Sequence, residues 1–536
     1  MKNLNYYLKK VKIQFILICV FSIISSIATI VAPVYIGNIV EKVIPIYNKS
    51  VVSEIGILVV IYIILFVSNL LLNHYLISFA SKISYNIRLD LYKKINCLSV
   101  AYLDKVRFGD TINNFTIDVE NVSTGLIQAI SKITGGIITI IISVVIMLTI
   151  NVKMAFVLIG VAPIMYIVSR YVGTNTSKLF KERANLVSEL NGYTEEQISG
   201  IKTIKNFNDE AESLKRFKEK NTQLRSVGIK AQFYSSLTNP STRLITNIAY
   251  IAVAIFGLSL IKSDNGLSLG NLTTFLVYTN VFTRPFNEIT SVISELQTAG
   301  ASGKRIFKFL NENEEDLSGE NQLVDFKGKI EFKDVSFSYN GKKKVFQNFN
   351  FVVNPKEHVA IVGKTGAGKT TIANLLLRFY EIDSGEILID GVNIRNIGKN
   401  QLRRNIGIVL QDTKLFNGTI RENIAYGKQN ASMEEIVNAA KMARAHDFIE
   451  RLPQGYDTYV EGENVLSVGE VQLINIARIM LSKPPILILD EATSNIDAVT
   501  EQKISTAFTE LVKDSTSFVI AHKTKTIKDA DRIFSL

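Results

Sequence analysis

The residues best placed to do chemistry begin at position 363. Gly363-Lys364-Thr365-Gly366-Ala367-Gly368-Lys369-Thr370 fits the pattern G-x-x-x-x-G-K-[ST], and Thr371 follows directly. Glycines in such a loop let backbone N–H groups come close to an anion. The stretch EHVAIVG before it is apolar enough for a buried strand, and TTIANLLLRF after it has helical spacing. The helix N-terminus then adds partial positive charge to the loop. Lys369 is placed to reach the β- and γ-phosphates of a nucleoside triphosphate, and the Thr370 hydroxyl to ligate Mg²⁺. A glycine-rich turn with a surface lysine would not need this strand–loop–helix setting.

Two further segments carry groups suited to the same chemistry. Pro485-Ile486-Leu487-Ile488-Leu489-Asp490-Glu491 is an apolar strand ending in two carboxylates. Asp490 is placed to hold Mg²⁺ through water, and Glu491 to orient or deprotonate a water that attacks the γ-phosphate. Ser517-Phe518-Val519-Ile520-Ala521-His522 is a second apolar strand ending in a polar residue, which makes His522 a candidate at the same edge.

These strands lie in the last 200 or so residues, where short β-rich segments alternate with helical ones from about Lys329 (KIEFKDVSFSY, EHVAIVG, PILILD, TSFVIAH). Fully apolar strands beside helical stretches predict a parallel or mixed sheet covered on both faces. Residues 311–328, NENEEDLSGENQLVDFKG, are acidic and polar and read as a linker.

The first 310 residues are different. Six apolar runs, at about 13–34, 55–73, 133–150, 152–169, 244–262 and 271–293, are each close to the roughly 20 residues that span a bilayer as a helix. Asn151-Val152-Lys153 between the third and fourth reads as a tight hairpin. The sixth is interrupted by Thr273, Thr274, Tyr278, Thr279, Asn280, Thr283 and Arg284, which should face a cavity or another helix. The connections 74–132 and 170–240 hold seven and twelve Lys/Arg, and the N-terminal arm holds Lys2, Lys9, Lys10 and Lys12, whereas the other connections hold very few. Basic residues favour the cytoplasmic side, so both ends are expected there. The net charge of +11 is then a matter of topology, not of nucleic-acid binding. YNIRLDLYKKINCL (85–98) and 181–207 keep helical spacing, so the spans should continue into the cytoplasm and turn at tips such as FGDTINNF (108–115). The 536-residue chain has 47% apolar residues and a mean hydropathy of +0.20, which exclude disorder and a collagen-like fibre. Two cysteines, Cys19 and Cys97, do not make a disulfide framework.

Taken together, the chain resembles an ATP-binding cassette (ABC) transporter, of the exporter type in which a membrane domain and a nucleotide domain are fused as one half-transporter. Leu466-Ser467-Val468-Gly469-Glu470 resembles the ABC signature, with Val and Glu where Gly and Gln are usual. Residues 200–207, 270–278, Arg284-Pro285 and 304–310 resemble the multidrug and lipid exporter branch. The resemblance implies that Tyr339 stacks on adenine, that Gln411 senses Mg²⁺ and contacts the membrane domain, that Ser494–Asp497 follow the catalytic glutamate, and that His522 is the switch histidine. It places Ser467 and Gly469 on the nucleotide of a second copy, and coupling helices near 108–118 and 207–217. It also implies that relatives continue beyond Leu536 through a further strand, turn and helix, so a C-terminal tail is expected to be missing here.

The expected architecture is an all-α six-helix transmembrane domain (1–310), a linker (311–328) and an α/β P-loop NTPase domain of the ABC type (329–536). The expected cofactors are ATP and Mg²⁺. The expected partners are a second half-transporter (in a homodimer or a heterodimer), membrane lipid, and a hydrophobic or amphipathic drug, lipid or peptide as substrate. The expected location is the plasma membrane. A protein of another class, an ATP-gated channel or a regulatory ATPase subunit, would be expected to carry degenerate catalytic residues.

Overall fold

The computed structural model describes residues 3–536 apart from 44–50, 264–266, 318–324, 342, 365, 411–413, 462–465, 491–496 and 521–529. The chain forms two compact units, Met1–Cys97 with Val106–Asn313, and Leu98–Lys105 with Glu314–Leu536.

The first unit is helical. Its helices are α1 (Leu4–Lys10), α2 (Lys12–Val43) and α3 (Val52–Cys97). After α4 (Val100–Leu103), which clusters with the second unit, come α5 (Phe108–Asn113), α6 (Val119–Gln128), α7 (Gly135–Ile150), α8 (Val152–Ile159), α9 (Val161–Ser199), α10 (Ile201–Phe207), α11 (Glu210–Lys262) and α12 (Leu269–Leu310). Wide π-type turns at Asn114–Asp118 and Ala129–Thr134 join α5, α6 and α7 into one helical run. Among the described residues, five helical segments are long and apolar enough to cross a membrane, and α12 is not one of them. It is 42 residues long, but its polar residues dilute the apolar run. The hairpin at Asn151 is present: its side chain accepts from Met154 N–H and starts α8.

The first tip differs from expectation. FGDTINNF is not the turn but makes up all of α5 and the first two residues of the π-type turn after it, with Asp110 in the first helical turn, where a carboxylate favours the helix dipole. The chain reverses earlier, between Cys97 and Arg107, where Ser99 caps the four-residue α4. At the second tip, Asn208 in the left-handed region separates α10 from α11. The N-terminal arm is not simply solvated: Tyr7 of α1 is 1% exposed, and its hydroxyl donates to Asp90 of α3 at 2.9 Å.

The polar residues of the sixth run bond partly to other helices and partly within α12. Tyr278 Oη donates to the Ile30 carbonyl of α2 at 2.6 Å, and Thr274 Oγ1 to that of Pro33 at 3.3 Å. Thr279 and Thr283 are buried and donate one turn back, to Phe275 and Thr279. A Cβ on Gly37 would lie 2.5 Å from the Gly270 carbonyl, so glycine permits this close crossing of α2 and α12. Tyr278→Phe should destabilise the protein by about 0.6–1.7 kcal/mol, the range for hydrogen bonds between membrane helices. A thermal melt in detergent checks this, and an unchanged midpoint would mean that the bond contributes nothing.

The second unit contains two principal sheets instead of one. An antiparallel sheet has the order β2 (Lys344–Val353), β1 (Ile330–Ser338), β4 (Ser384–Ile389), β5 (Val392–Asn393). A parallel sheet has the order β11 (Arg532–Ser535), β3 (His358–Val362), β10 (Thr516–Ile520), β9 (Ile486–Asp490), β6 (Ile406–Val409). The stretch KIEFKDVSFSY therefore belongs to the antiparallel sheet, while the other three expected strands are parallel neighbours. A small pair, β7 (Gly418–Thr419) and β8 (Tyr459–Val460), completes the strands described. The helices are α13 (Lys369–Leu376), α14 (Lys399–Arg404), α15 (Ile420–Ala425), α16 (Met433–Met442), α17 (His446–Arg451), α18 (Val468–Ser482) and α19 (Ala498–Val512). One hydrophobic core joins the two sheets and α13, and a second gathers α15–α19 behind β9. Burial of each large apolar side chain in these cores is worth about 1.5–3 kcal/mol.

Candidate functional site

The phosphate loop starts where β3 ends. β3 is buried between β11 and β10, which fixes the direction of the chain as it leaves the sheet at Gly363. The loop then turns through Gly366 (φ +81°) and Gly368 (φ +101°) into α13. A Cβ on Gly368 would lie 2.8 Å from Val345 Cγ1 and 3.0 Å from Phe346 Cε1, both on β2, so only glycine fits this bend. Lys369 is the first residue of α13 and is 7% exposed. Its ammonium donates to the carbonyls of Gly363 at 2.7 Å and Lys364 at 3.3 Å, so the charge is held inside the loop. Thr370 is exposed at the helix start, and Thr371 is buried. A glycine bend, a buried ammonium and a helix N-terminus on one short loop fit a polyphosphate.

The strand order brings the other groups to the same edge. Because β3, β10 and β9 are parallel, their C-terminal ends share one side of the sheet. Ile520 of β10 pairs with Ile361 on one side and with Asp490 on the other. Neighbouring strands lie about 4.8 Å apart, so Asp490 ends β9 about two strand spacings from the start of the phosphate loop. Glu491 follows Asp490 in the sequence and His522 follows Ile520 by two residues. Both lie outside the described residues, as do Thr365, Gln411 and Ser494–Ile496.

Tyr339 directly follows β1. Its hydroxyl donates to Thr371 Oγ1 and accepts from Asn374 Nδ2, both at 3.1 Å, which holds the ring over α13. Tyr380 meets it edge-on at 4.8 Å between ring centroids. The Tyr380 hydroxyl in turn donates to Asp104 Oδ2 at 2.6 Å, just beyond α4. Burial and the Asp104 carboxylate together push the Tyr380 phenol well above its ordinary value.

Ser467 is the N-cap of α18, in a capping box with Glu470. The Glu470 carboxylate accepts from the Ser467 N–H and from its hydroxyl, both at 2.8 Å. Gly469 is buried in the first turn. Leu466 and α18 belong to the second core, whereas the phosphate loop sits on the first. Asp497 caps α19 and accepts from the N–H groups of Val499 and Thr500. These bonds hold its carboxyl below the usual range.

The family described as ABC transporter transmembrane region matches residues 15–286, and that described as ABC transporter matches residues 346–494. The chain belongs to the ABC transporter family. It is 38% identical to the uncharacterized ABC transporter ATP-binding protein YfiC of Bacillus subtilis, over 99% of this chain and 88% of that protein. It is 41% identical to the fatty acid ABC transporter ATP-binding/permease protein of Mycobacterium bovis, over 83% of this chain and 71% of that protein. It is 36% identical to the ATP-dependent lipid A-core flippase of Haemophilus influenzae, over 91% and 84% respectively. This ABC transporter is thus a multi-pass membrane protein with its own ATPase domain, and it couples ATP hydrolysis to transport.

Two clusters of this ABC transporter were not legible as site residues. One is the Tyr380–Asp104 contact, between residues 276 positions apart. The other is Glu315, which sits in the acidic run read as a linker. Arg284, expected to face a cavity or another helix, donates to Glu288 on the next turn of α12 at 2.7 Å.

Proposed function

We propose that this chain is one half of an ATP-driven exporter that works as a pair and moves a hydrophobic or amphipathic molecule out of the cytoplasm. The observation that carries this reading is the division of labour in one chain. There is one phosphate loop on one core, one signature on another, and a set of membrane-length helices too few to enclose a pathway alone. Single-chain burial supports a second copy. Phe180, Ile198, Phe207, Leu214, Ile229 and Phe233, on the long extensions around the second tip, are exposed large apolar side chains. The relatives' cargoes, fatty acid and lipid A-core, support an amphipathic substrate here. The Lys/Arg distribution supports a cytoplasmic ATPase unit in a plasma-membrane protein.

In this reading Lys369 grips the β- and γ-phosphates, Tyr339 offers its ring to the adenine, and the backbone of 363–368 surrounds the phosphate oxygens. Thr370, Asp490 and Gln411 would hold Mg²⁺, which neutralises phosphate charge as it develops. Glu491 orients the attacking water, and His522 contacts the γ-phosphate. Ser467 and Gly469 of a second copy close over the same nucleotide. Closing the pair shifts the membrane unit between inward and outward shapes, because ATP binds the closed pair more tightly.

The experiment is reconstitution in liposomes. Candidate lipids, fatty acids and drugs should stimulate ATP hydrolysis, and one should accumulate in inside-out vesicles only with Mg-ATP. ATP-gated flow down a gradient without accumulation would instead indicate a channel. Differently tagged copies that co-purify would establish the homodimer, and their failure to do so would indicate a heterodimer.

A smaller effect follows at the signature. The Glu470 carboxylate sits on the Ser467 hydroxyl that would face the phosphates. A like charge at about 4 Å in water costs about 1 kcal/mol. Glu470→Gln keeps an acceptor for the cap and should lower the half-saturating Mg-ATP concentration about fivefold. An increase would show that the charge is needed.

A further inference from the structure

The acidic stretch after α12 is tied down at one residue. Glu315 has a side chain only 9% exposed, facing Lys399 and Arg403 of α14, whose side chains are 8% and 25% exposed. Arg403 grips it at two points, Nη1 to Oε2 at 2.8 Å and Nη2 to Oε1 at 2.7 Å, and Lys399 Nζ lies 3.2 Å from Oε1. The same guanidinium donates from Nε to the Leu377 carbonyl at 3.1 Å and from Nη2 to that of Arg378 at 3.3 Å. These carbonyls close the C-terminal end of α13, where a cation is favoured. The ring of Phe379 supports it, 5.0 Å below the guanidinium carbon. Arg378 is itself buried, with φ +48°, and donates to the carbonyls of Ile394 and Ile397 and to Glu381. The end of α13 is therefore fixed by a connected set of ions.

We propose that Glu315 is a positioning residue for nucleotide binding: through Arg403 it fixes the far end of the helix whose first residue is Lys369. Only four residues separate Glu315 from Leu310, the last residue of α12. Arg403 and Lys399 therefore hold the second unit's chain close to its first residues. A solvated linker of the same length would exert no such hold. This positioning role concerns nucleotide binding and does not depend on the exporter reading.

The test uses the full chain in liposomes. Glu315→Gln keeps the shape and removes the charge, and Arg403→Lys keeps the charge and loses the two-point grip. Each should raise the half-saturating Mg-ATP concentration about three- to tenfold with kcat within about twofold. The double variant should be no worse than either single one, because both break one connection. The surrounding cations, chiefly Arg403, hold the Glu315 carboxyl below its usual range against the opposing effect of burial. Glu315 therefore stays charged above the ordinary carboxylate range and is neutralised only as pH falls through its lowered value. The gap between parent and Glu315→Gln should then stay constant from about pH 6 to 8. A lower melting midpoint with no change in half-saturation would overturn the proposal, as would additive effects in the double variant. If no cargo is transported but the half-saturation shift is present, the positioning role stands and the exporter reading falls.

Discussion

Glu491→Gln should lower steady-state ATP hydrolysis about 10²–10⁴-fold while leaving Mg-ATP binding within about threefold. The magnitude is that of removing a group that accepts a proton from, or aligns, an attacking water. The sequence places Glu491 immediately after Asp490, and Asp490 closes β9 at the same sheet edge as the phosphate loop. Glutamine keeps the size and the hydrogen-bonding carbonyl but cannot take a proton. Binding should be spared because the groups proposed to grip the phosphates, Lys369 and the loop amides, lie after β3 and at the start of α13, not after β9. Phosphate release by the reconstituted variant, measured beside equilibrium nucleotide binding, separates the two effects. Near-normal phosphate release would remove Glu491 from the catalytic role. Loss of binding and hydrolysis together would give it a structural role instead.

The difference between what sequence conveys and what it hides follows from the range of the interactions. The phosphate loop was legible because its glycines answer local demands: Gly366 and Gly368 take backbone angles that other residues resist, and Lys369 follows at a fixed step. The strands EHVAIVG, PILILD and TSFVIAH were legible because strands buried on both faces are apolar throughout. What was missed depends on distant partners. Tyr278 looked like an interruption of a span until Ile30, 248 positions away, supplied the acceptor. Glu315 looked like one acid among several, and nothing near it in sequence announces Arg403. The turn was assigned to Gly109, Asp110 and Asn113 by residue type, yet all three lie within α5, where only Asp110 gains from the helix start, and Ser99 caps a short helix upstream. The first β-segment was read with the others as one parallel or mixed sheet, yet it lies in a separate antiparallel sheet, because apolar content encodes neither strand direction nor which strands share a sheet.

Gly368→Val should abolish nucleotide binding, with at least about a 100-fold loss of affinity, while the rest of the ATPase unit stays folded. Two costs act at this position. A β-branched residue at φ +101° is strained by about 1–3 kcal/mol. Its Cβ would also press into Val345 and Phe346 of β2, at 2.8 and 3.0 Å, and overpacking of that kind costs about 1–3 kcal/mol more. β2 is held by β1 and by the aromatic packing of Phe346 on Phe349, so the loop gives way before the sheet does. Displacing the loop moves the ammonium of Lys369 and the start of α13 together, which removes both sources of positive charge from the phosphate position. Gly366 provides the contrast. It has φ +81°, but nothing among the described residues lies within 4 Å of its would-be Cβ. Gly366→Ala therefore carries backbone strain alone and should shift the melting midpoint less than Gly368→Ala does. Thermal melts of the two alanine variants, with nucleotide titration of Gly368→Val, check the argument. Equal midpoints would mean that the contact with β2 is not what shapes the loop.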